Sequence, residues 1–586
     1  GLLQANGSCS QPITIQSNTN GSQTTINKVT GSVIIDYCIL KDNYATGGAT
    51  FVANNTIDLG NNSGWAISPP APLDLYWVGG TGNWDDPSHW SLTSGGPGGA
   101  CTPSPIDNVY FDGNSFTAAG QVVTAIGDGN NNINCKNMNW TGVTNNPEFT
   151  GSSSLNLRIY GSLTLQAGMS YNFAGPVYFE ATSTGNTIFT AGLALNKAFM
   201  YFNGDGGGWT LLDGLNLGTE RLYFYRGTLN TNNQPVTADR FYSETDHART
   251  LLLGSSIIEL TENGSSALRI NGTSLTFNSG TSLIKFPTAN GGMYCYGNGN
   301  LAFHNVLCEA TTGNSYIYNN NGSFNTIVHK SGGRLYDGCT VDSVTVDGSY
   351  NIYDNNNNIN VLHINGNVYI AGNNGQYGEV FIGGNGEITG DNTFGTLEFS
   401  PGNAYTLNSN KTQTITTELI ANGTCILPIT IQSNSPGNQT TISKAGGNIV
   451  IDYAILQDQN ATGGASFTAN NSIDMGNNTG WVINAPTPLD LYWVGGTGDW
   501  DDPVHWSFTS GGPGNACIPS SIDNVYFDAS SFTAPGQTVT LIGDGNNDVN
   551  CNNMDWSSAT NNPTLTGSGT YNLRIYGSLT LNPNMT

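Results

Sequence analysis

Basic side chains are scarce in this sequence: 16 Lys and Arg stand against 41 Asp and Glu in 586 residues, a formal charge of −25. So few cations cannot neutralise a phosphate backbone, which excludes nucleic acid as a partner. An acidic surface is also repelled by anionic membranes; it suits a solvated extracellular polymer or the capture of cations. Charged residues of both signs make up only 10% of the chain, where soluble domains average about 25%. No apolar run reaches the roughly 18 residues that a membrane-spanning helix needs, so no membrane insertion is expected. The long Ala, Leu, Glu and Lys runs that build helices are missing too, which removes βαβ architectures. Catalytic signatures are equally absent: there is no GxSxG, no HExxH and no phosphate-cradling GxxxxGK[ST]. The six His are scattered, and His89 beside Trp90 reads as a packed side chain, so no enzyme is expected.

What is abundant is Gly (77 residues), Asn, Thr and 59 aromatic residues. The aromatics sit in short apolar clusters that a disordered chain would lack. "LRIY" begins at Leu157, "VYF" at Val177, "MYF" at Met200, "LYFY" at Leu222 and "FY" at Phe241. "LTF" follows at Leu275, "MYCY" at Met293, "YIY" at Tyr316, "VYI" at Val368 and "LEF" at Leu397. Gly- and Asn-rich turns separate them at intervals of about 20 residues, a strand-and-turn rhythm. Short strands with corners that tolerate left-handed backbone predict an all-β fold, a right-handed parallel β-solenoid, with tandem β-sandwiches as the alternative. At about 4.8 Å per coil, 16 coils would stack to roughly 75 Å.

The chain also repeats itself. Residues 1–170 align with 417–586 at an offset of 416 without insertion or deletion, and 115 of the 170 positions are identical. Repeats of constant length are the mark of stacked arrays. The chain holds about 1.4 copies and reads as a window of a longer array. The expected organisation is solenoid ends at 1–72 and 419–488, Trp- and Cys-rich modules at 73–140 and 489–556, solenoid coils at 141–418, and a new solenoid starting at 557–586.

The modules carry the candidate sites. "DLYWVGGTGNWDDPSHW" at 74–90 returns as "DLYWVGGTGDWDDPVHW" at 490–506. Trp77, Trp84, Trp90 and their copies Trp493, Trp500 and Trp506 read first as a compact apolar plug and second as platforms for sugar rings. Cys101 and Cys135 recur as Cys517 and Cys551 at the same separation, and ten Cys without a CxxC motif point to disulfides in an oxidising compartment. A Cys101–Cys135 bridge, with its copy, is the expected pairing. Cys38 becomes Ala454 in the second copy, so Cys9–Cys38 cannot be a rule of the array, and the partners of Cys9, Cys38, Cys295, Cys308, Cys339 and Cys425 stay open. Asp85, Asp86, Asp107, Asp112 and Asp128 recur as Asp501, Asp502, Asp523, Asp528 and Asp544. They are candidates for a structural Ca2+ site, against the plainer reading that Asp beside Gly or Asn forms turns.

The text "YWVGGTGNWDDPSHWS", followed by "SGGPGGAC" and "DNVYFD", resembles a repeat of very large extracellular proteins of Bacteroidota. That resemblance implies export by the type IX system and a role in cell-surface filaments, gliding-type adhesins or matrix fibres. "DSV" at Asp342–Val344 is similar to the O-glycosylation sites of these bacteria, with Ser343 as acceptor. The expected function is a structural segment of an extracellular filament or adhesin stalk. Its partners would be further copies of the repeat and surface polysaccharide. A polysaccharide-binding or polysaccharide-degrading β-helix is the alternative.

Overall fold

The computed structural model describes residues 1–586 except 129–130, 298–299, 337, 354 and 543–547. The chain is nearly all β and forms a right-handed parallel β-solenoid of about 25 turns. Parallel pairing removes the sandwich alternative. Among the described residues, the strand pairs that run antiparallel are Asp74–Trp77 with Trp90–Ser91 and their copy, Asp490–Trp493 with Trp506–Ser507. The chain divides into two compact units, Gly1–Ser343 and Val344–Thr586.

The first unit opens with coils of three faces. Ile13–Gln16, Cys38–Lys41 and Ile57–Asp58 share one sheet, Thr24–Asn27 pairs with Asn43–Thr46, and Ser32–Asp36, Thr50–Asn54 and Ala66–Ile67 form the third face. Their interior is a small core of Val33, Ile35, Leu40, Phe51 and Ala53. This stack ends at Ile67. After the Pro-rich stretch 69–72 a second stack begins at Asp74, and its first coils are the Trp-rich module itself. Val109 pairs with Leu75 and Met138 with Val109, and Leu163 continues the same row. The module is therefore the first part of a solenoid.

Alternation builds the coils. In Asn156–Ile159, Leu157 and Ile159 point inward while Asn156 and Arg158 face out. The clusters at Leu157, Val177, Met200 and Leu222 stack in register on one sheet, as the sequence spacing suggested. "LTF" at Leu275 lies on another face, paired with Arg249–Leu252. Stacking aligns like with like: Tyr178, Tyr201 and Tyr223 form an outer ladder with ring centroids 4.6 and 4.5 Å apart. Offset face-to-face rings add to the burial of each coil on the next. The interior is filled by aliphatic and aromatic side chains, and the gap among Leu211, Leu222 and Phe241 measures about 10 Å³, at the limit of a single water.

At the start of the second unit the coils are tight. Ile352 pairs with Ile370 and Ile370 with Ile388, the same short step each time. Asn side chains tie its corners: the Oδ1 of Asn367 accepts the backbone N–H of Asn385, and that of Asn385 accepts the N–H of Ala404. Such ladders satisfy backbone groups that the turn leaves without a strand partner. The stack closes with Asn448–Asp452, Ser466–Asn470 and Trp481–Ile483. The Pro-containing stretch 485–488 follows, and then the second Trp-rich start at Asp490.

Candidate functional site

What recurs is a junction between the end of one stack and the Trp-rich start of the next. Each start is sealed by its own hairpin. Trp90 lies opposite Trp77, with the rings edge to face at 5.2 Å. Trp84 meets Trp90 at 5.0 Å, and Phe111 stacks on Trp140 at 3.7 Å. In the copy the corresponding distances are 5.1, 4.9 and 3.6 Å. The Trp77 indole donates to the Gly80 carbonyl, and the Trp90 indole donates to that of Trp84. A short 3-10 turn, Pro87–His89, is capped by the Asp86 carboxylate, which accepts the Ser88 N–H. That hydrogen bond holds Asp86 below its ordinary pKa. His89 stacks on Trp77 and donates from Nδ1 to the Val78 carbonyl.

The plug reading is the correct one. Trp77, Trp84, Trp90, Trp493, Trp500 and Trp506 are all at most 3% exposed. A sugar ring cannot reach any of them, so their assignment as glycan platforms is withdrawn. Burial of the whole indole seals the first coil, leaving no face for a ligand.

The disulfide expectation is corrected as well. Cys101 is bonded to Cys9, and Cys517 to Cys425, each across 92 residues of sequence. Cys135 and Cys551 are free and buried. Cys135 ends the strand Asn132–Cys135 at an inward position, stacked on Ile159 in the next coil. Burial pushes the Cys551 thiol up to about 12. A Cys at that place fills core volume and cannot reach a loop. The signal was present in the sequence. "NINC" alternates, so its Cys belongs to the interior, whereas "NGSCSQP" and "GGACTP" are loop text. The two loop Cys are the pair.

Each bridge thus fastens the terminal coils of one stack to the Trp-rich start of the next. Around it, Asp107 gathers the chain where it leaves the Pro-rich stretch. Its Oδ1 accepts the Leu73 N–H at 2.7 Å, and its Oδ2 accepts the Ser104 N–H at 3.0 Å. Burial raises the Asp107 pKa while these bonds oppose the rise. Asp523 does the same for Leu489 and Ser520. Thr102 donates to the Ser10 carbonyl in the first copy. Ile518 and Ile426 stand there in the second, so the disulfide is what both copies keep.

Of the remaining acidic candidates, Asp112, Asp128 and Asp528 form turns. Asp112 accepts the Asn114 N–H, Asp528 the Ser530 N–H, and Asp128 the Asn132 N–H. Asp502 caps its 3-10 turn as Asp86 does. Asp501 is raised in pKa by burial and by Asp499 and Asp502 beside it. Asp85 is exposed next to its capping neighbour, and Asp544 lies outside the described residues. Among the described residues no three His, Cys, Asp or Glu side chains gather as metal ligands. Ser343 is partly exposed on the strand Thr340–Val346.

The first unit holds one feature that the sequence did not announce. A polar cleft of about 1080 Å³ opens between the corners of the terminal coils, at residues 20–22, 41–42 and 58–61, and the stacked corners at Lys136, Tyr160, Glu180, Asp205, Arg226 and His247. No protein-family model, curated protein or solved structure matches the chain.

Proposed function

We propose that the chain is a structural segment of a long tandem-repeat extracellular filament or cell-surface adhesin stalk. It would be of the kind carried by the giant Bacteroidota surface proteins that its repeated phrase resembles. One observation carries the reading: the same junction, with the same disulfide across the same 92 residues, recurs after 416 residues. A mechanical joint has to be rebuilt once per segment. Two disulfides are compatible with an oxidising compartment, and the acidic, Lys-poor surface keeps such a polymer solvated.

Electron microscopy of the secreted material tests the proposal. Thin fibres with an axial repeat of about 80–110 Å are expected from some 16 coils and one joint per unit. Discrete globular particles would overturn it. Loosening of the fibres by a calcium chelator would assign a cation to the acidic starts, and loosening by a thiol would assign the joint to the disulfides.

A further inference from the structure

We propose that one outer face of the first unit, a continuous row of Tyr and Arg side chains, is the surface by which two copies of the chain lie side by side. The inference goes beyond the filament reading, which concerns length along one chain, and does not depend on it. On the sheet that starts at Asn132–Cys135, the outward side chains of successive coils stand in register. Arg158 pairs with Tyr178, Tyr178 with Tyr201 and Tyr201 with Tyr223. From there to Tyr336 every coil presents Tyr or Arg at this place. Another sheet of the same stack shows an ordinary solvated face, with Thr228, Thr250 and Thr276 in its outward row. The Tyr row is only half-covered by its own stacking, and Tyr294 is 38% exposed. Tyr and Arg are the residues in which the cores of protein interfaces are enriched.

Charge singles out the partner. Five of the eight Arg in the chain, Arg158, Arg221, Arg240, Arg269 and Arg334, stand on the strands of this sheet between 156 and 336, and those strands hold no Asp or Glu. A chain of formal charge −25 that concentrates +5 here carries −30 elsewhere. Two copies that approach by other surfaces meet like charge, and this face spares them that repulsion. The carboxylates that answer the Arg stand at the corners: Glu180 holds Arg158, Glu244 holds Arg269 and Glu262 holds Arg240. The face thus has cations along its middle and anions along its margins. A second copy turned about a two-fold axis sets its margins against the other's middle. The side chains are fixed beforehand: Arg158 lies over the Tyr178 ring at 4.6 Å, and Arg269 lies over those of Tyr242 and Tyr294 at 5.7 and 5.8 Å. Little side-chain freedom is therefore lost on contact. At about 4.8 Å a coil the row is about 38 Å long, and its strands are about 13 Å wide. Two such faces together cover about 1,000 Å², the lower bound of a specific interface.

Sedimentation velocity of the full chain from about 1 to 100 μM tests the proposal, and a dimer forming across that range is expected. Tyr294→Glu puts a carboxylate into the exposed row and should weaken the dimer about tenfold or more. Thr250→Glu adds the same charge to the Thr row and should change the dissociation constant by less than about twofold. Tyr242→Cys places a thiol at the middle of the row. Under mild oxidation it should link two chains at a concentration where Thr250→Cys stays monomeric, and this readout stands in if circular dichroism shows that Tyr294→Glu does not fold. Three results would overturn the proposal: a monomer throughout the range, a dimer that Tyr294→Glu and Thr250→Glu weaken alike, or cross-linking of Thr250→Cys as readily as of Tyr242→Cys. A dimer of globular particles would keep this inference and sink the filament reading, and single fibres from a chain that stays monomeric would do the reverse.

Discussion

Cutting the Cys9–Cys101 bridge separates two ways in which the junction can fail. On the loop-entropy model a bridge closing 92 residues stabilises by about 4.6 kcal/mol if the terminal coils and the Trp-rich start unfold together. The span is not one flexible loop, however. Between the two Cys lie the terminal coils, the Pro-rich stretch and the sealed first coil. If the terminal coils come away as a folded body, only about six linker residues become free, and the same formula then gives about 2 kcal/mol. Denaturant unfolding of the chain, oxidised and with Cys9→Ser plus Cys425→Ser, distinguishes the two. A loss of about 4–5 kcal/mol in the first transition means cooperative unfolding. A loss of about 2 kcal/mol, with a new cleavage site at 69–72 in limited proteolysis, means undocking. Both models fail if the variant unfolds as the parent does, or if peptide mapping links Cys101 to Cys135.

Three further outcomes are expected. Gly98→Ala would drive its Cβ into the Ser88 carbonyl, and Gly514→Ala into that of Val504; neither backbone oxygen can move aside, so each should cost about 3 kcal/mol in chemical denaturation. Cys38→Ala should change stability by no more than about 1 kcal/mol, because Ala454 fills the equivalent buried place in the second copy. Burial holds His329 neutral, moving its pKa from 6.5 to about 3. The unfolded chain binds a proton below about pH 6.5 that the folded chain refuses until about pH 3, so stability is lost as pH falls through that window. His329→Phe should remove about 2–3 kcal/mol of the fall between pH 7 and pH 4.5, read as the difference between the two proteins' denaturation curves.

The solenoid was legible because its logic is local. A cluster such as Met200–Phe202 announces its inward Met and Phe by alternation, and its neighbours at Val177 and Leu222 announce the coil length. The number of faces was not legible. Coils in the middle of the first unit are long, stepping from Thr228 to Thr250, whereas those at the start of the second unit step only from Ile352 to Ile370, and later ones lengthen again, from Tyr405 to Ile431. The difference is how many corners the turn text makes, which depends on where each Asn or Gly takes positive φ. The Trp plug was read correctly as structure, since several indoles in one short segment must cover each other. The disulfide that fastens each junction was missed, because a bridge between two loops so far apart in sequence leaves no periodic trace. The cleft was invisible too, because the residues that line it, from Asn20 to His247, lie far apart along the chain.

The antiparallel hairpin at each Trp-rich start has a consequence for assembly. A parallel stack exposes, at its first coil, a row of backbone donors and acceptors on which any other β-strand can template. Here Trp90–Ser91 covers part of that row and the buried indoles fill the end of the coil, while the Pro-rich stretch before it offers few N–H groups to a newcomer. Growth by capture of foreign strands, the route by which cross-β material spreads, is blocked at that end.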